Sequence, residues 1–70
     1  MNMIQVDSTN IDSVGYDEQK SILIIQFLDG SEYEYVDVPE YVYLDFLDAP
    51  SKGKYAHENI YDVYRSNRIR

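Results

Sequence analysis

Apolar and polar residues alternate along much of the first half of the chain, a pattern typical of β-strands with one buried face. The alternation predicts a short strand from Ile11 to Tyr16 and a half-buried strand from Ser31 to Val36, where tyrosines alternate with glutamates. Between them, Ile22 to Phe27 carries the strongest strand signal because most of its residues are β-branched or aromatic. The polar residues 17–20 are predicted to form the turn between the first two strands.

The segment Leu28-Asp29-Gly30 carries a hairpin signal, and burial favours one register for it. A three-residue loop pairs Ile25 with Tyr33 and Leu23 with Tyr35, which gathers aliphatic and aromatic side chains on one face. A two-residue turn would instead place the aliphatic residues opposite carboxylates. We therefore predict a type I turn followed by a G1-type bulge.

This register has three consequences. Gly30 must adopt the left-handed conformation, which costs glycine no steric penalty. The first turn, by the same burial argument, is predicted to pair Val14 with Leu23. Tyr33 and Tyr35 are then expected in the core beneath the helices, whereas the alternative reading leaves them exposed to stack on nucleic-acid bases.

The second half of the chain changes to a helical period. Residues 39–47 are predicted to form a helix, with Pro39 at its first position, and Ala49-Pro50 stops it. Ser51 is a good N-cap for a second helix, predicted from about Lys52 to Asn59 or beyond. The inward-facing residues of this second segment are predicted to be Tyr55, Ile60 and Tyr64.

These elements predict an α+β domain: an antiparallel three-stranded β-meander followed by one or two short helices packed on one face. Seventy residues are expected to form one domain, spanning residues 1–70. Residues 1–9 alternate only weakly and are expected either to fray or to add an edge strand. Residues 66–70 are expected to fray.

The composition indicates the cellular compartment and the kind of surface to expect. The chain has no cysteine, so neither a disulfide nor a thiolate site is expected, and a reducing cytosol is favoured. No signal-peptide pattern opens the chain and no apolar run is long enough to cross a bilayer, so a cytoplasmic location is expected. Eight tyrosines are a surplus suited to half-buried positions and contact surfaces.

Charge is distributed unevenly along the chain. Residues 1–50 hold eleven carboxylates and a single cation, Lys20, whereas residues 51–70 carry a net charge of +3. The overall net charge is −7. Such asymmetry indicates a polar surface with opposed ends, although an evenly solvated acidic surface is the simpler alternative.

Five stretches of the sequence, taken in order, resemble the KTSC domain family. They are VGYD at 14–17, LIIQFLDGSEYEY at 23–35, VPEYVY at 38–43, APSKGKY at 49–55, and Ile60 with Tyr64. The resemblance covers roughly residues 6 to 65. The family is named after the C-terminus of certain lysyl-tRNA synthetases, and the resemblance implies a small binding domain for which RNA is the suggested ligand.

The candidate nucleic-acid-binding residues come from the basic C-terminal third. Its cations would neutralise phosphates, an aromatic ring would stack on a base, and the capped helix start would offer N–H donors. The simpler alternative is that Ser51 only caps, the lysines are solvated and Tyr55 belongs to the core. The candidates are Ser51, Lys52, Gly53, Lys54, Tyr55, Arg65 and Arg68.

No reaction is expected from this sequence. It has no nucleophile or phosphate-loop motif, and its one histidine, His57, has no partner at catalytic or metal-ligand spacing. We therefore expect a non-catalytic module without cofactor, metal or small-molecule substrate. Its partner is expected to be RNA, either tRNA or a single strand; the alternative is a basic protein that binds the acidic, tyrosine-rich surface.

Overall fold

The computed structural model describes residues 2–70 and shows an α+β fold with one antiparallel sheet and two helices. The strands run in sequential order across the sheet. They are β1 (Ile4–Gln5), β2 (Ile11–Asp17), β3 (Ile22–Phe27), β4 (Glu32–Tyr35) and β5 (Ser66–Arg68). The helices are α1 (Glu40–Asp48) and α2 (Lys52–Ala56), and α2 continues directly into a π-helical turn, His57–Tyr61.

The predicted three-stranded meander understates the sheet, which has five strands. Both ends of the described chain pair with it: β1 lies against β2, and β5 lies against β4. Residues 66–70 were expected to fray, whereas the structure pairs Ser66–Arg68 with β4. The Glu32 N–H donates to the Arg70 carbonyl at 3.0 Å, and the Ile69 N–H donates to the Glu32 carbonyl at 2.8 Å. These bonds satisfy backbone groups of β4 that would otherwise form an open edge.

The hairpin between β3 and β4 has the predicted register. Ile25 pairs with Tyr33, and Leu23 pairs with Tyr35. Gly30 has φ +94°, and its N–H donates to the Phe27 carbonyl at 3.0 Å. This geometry fits the predicted turn and bulge, because the left-handed residue is the one that lacks a Cβ.

The pairing predicted between β2 and β3 is wrong by two residues. Val14 pairs with Ile25 rather than with Leu23, which lies opposite Tyr16. The connection is a four-residue turn whose last residue, Ser21, has φ +56°. A shift by two keeps every side chain on its face, so the burial argument could not distinguish the two registers.

The core lies between the sheet and the helices. Val14, Leu23 and Ile25 are fully buried on the sheet, and Phe46 and Ile60 are fully buried on the helical side. The remaining buried members of this single cluster are Ile11, Tyr35, Val38, Val42 and Ala56, with Tyr55 and Tyr64 packed against it.

The helix boundaries were close to prediction. α1 begins at Glu40, so Pro39 precedes the helix instead of occupying its first position. Ala49 follows the last residue of α1, and Ser51 caps α2 as predicted, its hydroxyl accepting from the Lys54 N–H at 3.3 Å. The helical backbone continues beyond Asn59, but it widens after Ala56 into the π-helical turn.

Candidate functional site

A cleft of about 550 Å³ opens where three segments meet: the β3–β4 loop, the residues that lead into β2, and the π-helical turn. We call it the aromatic cleft. Its lining residues are Thr9, Asn10, Phe27, Leu28, Asp29, Ser31, Tyr33, Tyr35 and Tyr61. It therefore combines four aromatic rings with a polar rim of hydroxyl, amide and carboxylate groups.

The β3–β4 register and the π-helical turn together build the ring cluster. Phe27, Tyr33 and Tyr35 share one sheet face, and Tyr61 reaches them from the end of the π-helical turn. Phe27 and Tyr33 meet edge to face with centroids 5.8 Å apart, and Tyr35 lies 6.1 Å from Tyr61 at an interplanar angle of 27°. Offset and edge-to-face contacts are the favoured aromatic arrangements.

The two central tyrosines differ in burial. Tyr35 is buried, as predicted, and this desolvation raises its pKa to about 12, with smaller contributions from Tyr61 and Tyr33. Tyr33 is only half-buried, and it lines the cleft. The expectation of a core position therefore holds for Tyr35 and only in part for Tyr33.

A carboxylate and a guanidinium flank the cleft. Asp29 accepts hydrogen bonds from the Ser31 hydroxyl at 2.6 Å and from the Ser31 N–H at 2.9 Å. These bonds, with a smaller contribution from Arg68, hold the pKa of Asp29 below its ordinary value. The Arg68 guanidinium carbon lies 6.0 Å from the centroid of the Tyr33 ring, within the range of a cation–π contact.

The candidate residues on α2 have structural partners of their own. Lys52 donates from Nζ to the Ala49 carbonyl at 2.6 Å, which caps the end of α1. Tyr55 stacks on the core residue Phe46 with centroids 5.8 Å apart. Gly53 has open space where a Cβ would lie, and Lys54 is exposed.

The structure places the candidate cations in two groups. Lys52 and Lys54 lie on α2, and Lys52 borders a depression that includes residues 7–9, which lead from β1 into β2. Arg68 lies in β5, the opposite edge strand, and Arg65 precedes it. Arg68 adjoins the aromatic cleft through Tyr33, and the depression beside Lys52 shares Thr9 with that cleft.

A second exposed surface lies on α1. Tyr41 and Leu44 are 66% and 54% exposed, and the acidic residues Glu40, Asp45 and Asp48 on the same helix are exposed as well. Burial raises the pKa of Tyr64, with a smaller contribution from Tyr41. We call this surface the α1 face.

Within residues 2–70, no helix is long and apolar enough to cross a membrane. The same part of the chain contains no group of three or more histidine or carboxylate side chains placed to hold a metal ion. His57 is exposed, and its ring meets the edge of Tyr61 with centroids 6.4 Å apart. His57 is therefore a surface histidine.

Comparison with known proteins decides the family. The KTSC domain profile matches residues 7–64, which is most of the chain. The chain belongs to the KTSC domain family. The crystal structure of a KTSC domain protein from Yersinia pestis superposes with a TM-score of 0.95 at 33% identity, covering 99% of this chain and 97% of that one.

Two further relatives match this chain in proteins of very different length. A protein from Tsukamurella paurometabola is 34% identical over 64 residues, which is 91% of this chain and 96% of that protein. A lysine–tRNA ligase from Nostoc punctiforme is 30% identical over 67 residues, and the matched part is 96% of this chain but only 12% of the ligase. The resemblance noted in the sequence is thereby confirmed, including its link to a lysyl-tRNA ligase.

Sequence reasoning missed the aromatic cleft. Phe27 and Tyr61 were not considered as site residues, since they lie far apart in the chain and neither belongs to a recognisable motif. The available signal was the surplus of tyrosine. A chain this small cannot bury eight tyrosines completely, so some must line its surface.

Proposed function

We propose that this KTSC domain is a small non-catalytic module that binds single-stranded RNA. The observation that carries the proposal is the pairing of Arg68 with Tyr33 across β5 and β4, which sets an exposed cation beside an aromatic ring. Single-stranded RNA is bound by this combination, because cations neutralise its phosphates and rings stack on its bases. The similarity to part of a lysine–tRNA ligase is a weaker support.

The two groups of cations have different roles in this proposal. Arg68 contacts the phosphate nearest the aromatic cleft, while Arg65, just before β5, and the two lysines of α2, Lys52 and Lys54, extend the contact. Ser51 and Tyr55 act indirectly, since one caps α2 and the other packs on Phe46. The acidic remainder of the surface repels RNA elsewhere and so orients the bound strand.

Fluorescence anisotropy with a labelled single strand of about ten nucleotides, at about 20 mM and about 150 mM salt, tests the proposal. Removing one phosphate contact should weaken binding and lower the salt slope by about one. We expect this result for Arg68→Gln. The matched control is Lys20→Gln, which removes an exposed cation from the β2–β3 turn.

The comparison of the two variants decides the outcome. RNA binding that falls for Arg68→Gln and is kept in Lys20→Gln supports the proposal. Lack of salt-dependent binding by the unmodified protein at low salt would contradict it, as would equal losses in the two variants, because these would reflect net charge alone. A tRNA titrated in parallel shows whether a folded RNA competes with the single strand.

The α1 face favours a second candidate function, a protein-binding adaptor. Its exposed Tyr41 and Leu44 amid carboxylates offer a contact for a basic partner. Capture from a nuclease-treated lysate, repeated with Tyr41→Ser/Leu44→Ser, tests this alternative. A protein retained by the unmodified chain and lost by that variant supports it, whereas capture that disappears with nuclease favours RNA.

A further inference from the structure

We propose that the aromatic cleft holds one base of the RNA strand, with the adjoining phosphate on Arg68, and that it prefers guanine. This inference rests on the proposed RNA binding and assigns it a site. None of the candidate residues identified from the sequence, apart from Arg68, belongs to this site.

The size and lining of the cleft fit a planar aromatic ligand. Its volume of about 550 Å³ lies within the range of pockets that hold small organic ligands. Phe27, Tyr33 and Tyr61 are only half-buried, so part of each of these residues remains exposed to a ligand. A base stacked on these rings would remove apolar surface from water, and ring stacking tolerates any base.

An exposed cation beside the cleft offers a contact for the phosphate of a bound nucleotide. Arg68 is exposed and lies directly opposite Tyr33, so a ligand stacked near that ring meets a guanidinium. A phosphate attached to the stacked ligand would form a charge-assisted hydrogen bond with this guanidinium.

The polar rim provides selectivity among bases. Ser31 donates both of its hydrogen bonds to Oδ1 of Asp29, so Oδ2 of this ionised carboxylate is the oxygen that would accept from a base. Guanine presents two adjacent donors, N1–H and the 2-amino group, on its Watson–Crick edge. Uracil presents a single donor between two carbonyl groups, and a carboxylate repels those carbonyl oxygens. We therefore expect guanine to bind most tightly and uracil most weakly.

Titration with the four nucleoside 5′-monophosphates, followed by NMR, tests the site directly. We expect guanosine monophosphate to shift the amide signals of Asn10, Leu28 and Asp29, and uridine monophosphate to bind most weakly. Asp29→Asn keeps an acceptor for the Ser31 N–H but adds a donor, so it should reduce the preference for guanine over uracil. Asp29 is exposed, so this variant is expected to fold.

The ring contribution is tested with a matched pair of tyrosines. Tyr61→Leu removes a ring from the cleft and should weaken binding of a guanine-containing oligonucleotide about tenfold. The control is Tyr43→Leu, which removes another half-buried, stacked tyrosine, the partner of Tyr16 at 5.2 Å. Thermal denaturation of both variants checks that they fold. If Tyr61→Leu does not fold, binding by Arg68→Gln and Asp29→Asn still tests the cleft assignment.

The two proposals fail in different ways. RNA binding that is unchanged in Tyr61→Leu and Asp29→Asn overturns the cleft assignment and leaves RNA binding by the module standing. Nucleotide-induced shifts that map to the α1 face instead of the cleft also overturn it. Absence of binding to any RNA at low salt overturns both proposals.

Discussion

The guanidinium carbon of Arg68 lies 6.0 Å from the centroid of the Tyr33 ring, and the two residues are direct partners across β5 and β4. One strand pairing thus joins the basic C-terminal end to the tyrosine-rich hairpin. It explains why a predominantly acidic chain has an exposed cation beside a ring of its aromatic cleft. The site therefore requires that Ser66–Arg68 stay paired with β4.

Removing residues 66–70 should therefore destabilise the whole sheet. The deletion opens the edge of β4 and removes several backbone hydrogen bonds, so we expect a loss of about 2 kcal/mol in the free energy of unfolding. Urea denaturation measures this loss. The control, Arg68→Ala/Arg70→Ala, keeps the backbone pairing and should cost about 0.5 kcal/mol or less. Equal losses in the deletion and in this control would mean that the arginine side chains, and not the backbone pairing of β5, stabilise the sheet.

The two glycines Gly30 and Gly53 should respond to alanine with opposite signs. At both positions the space that a Cβ would occupy is open to 4 Å, so crowding is not the cause in either case. Gly30→Ala should cost about 1 kcal/mol because φ is +94° there. Gly53→Ala should stabilise α2 by about 0.5–1 kcal/mol because alanine is the better helix former. Changes of the same sign in urea denaturation would contradict this account.

Stability should fall in alkaline solution through Tyr35. Its pKa is raised from 10.0 to about 12 in the folded protein, so above about pH 10 the unfolded chain loses the proton more readily. The contribution is complete below pH 10 and is lost as the pH approaches 12. Tyr35→Phe should remove pH dependence on the order of 2 kcal/mol over this range.

The matched control for that experiment is Tyr41→Phe, which removes an exposed hydroxyl from α1. Unfolding by urea is measured for both variants from about pH 9 to about pH 12. If the two variants have the same pH dependence, burial of Tyr35 is not the source of the alkaline loss.

Ser51 should stabilise α2 through its cap. Ser51→Ala leaves the Lys54 N–H without its acceptor and should cost about 1 kcal/mol. Ser51→Asp keeps an acceptor and adds a negative charge at the positive end of the helix dipole, so it should retain most of the stability. Thermal unfolding distinguishes the two variants, and an equal loss in both would show that the hydroxyl is not acting as a cap.

Local chemistry was enough to predict the hairpin and the helix boundaries. The pairing of Ile25 with Tyr33 followed from burial and from the one residue, Gly30, that adopts a positive φ without strain. The stop at Ala49-Pro50 and the cap at Ser51 also depend on neighbours in sequence. Such features are set within a few residues, so a single sequence specifies them.

The five-stranded sheet and the aromatic cleft were decided only by the tertiary structure. Ser66–Arg68 is polar and short, and it becomes a strand because the edge of β4 offers it hydrogen-bond partners. The cleft needs Phe27 and Tyr61, which long-range packing brings to a centroid separation of 6.2 Å. By itself, the sequence determined the α+β class, the hairpin register and the family resemblance. Which cation meets which ring depends on strand pairing between distant segments, and no local propensity encodes that choice.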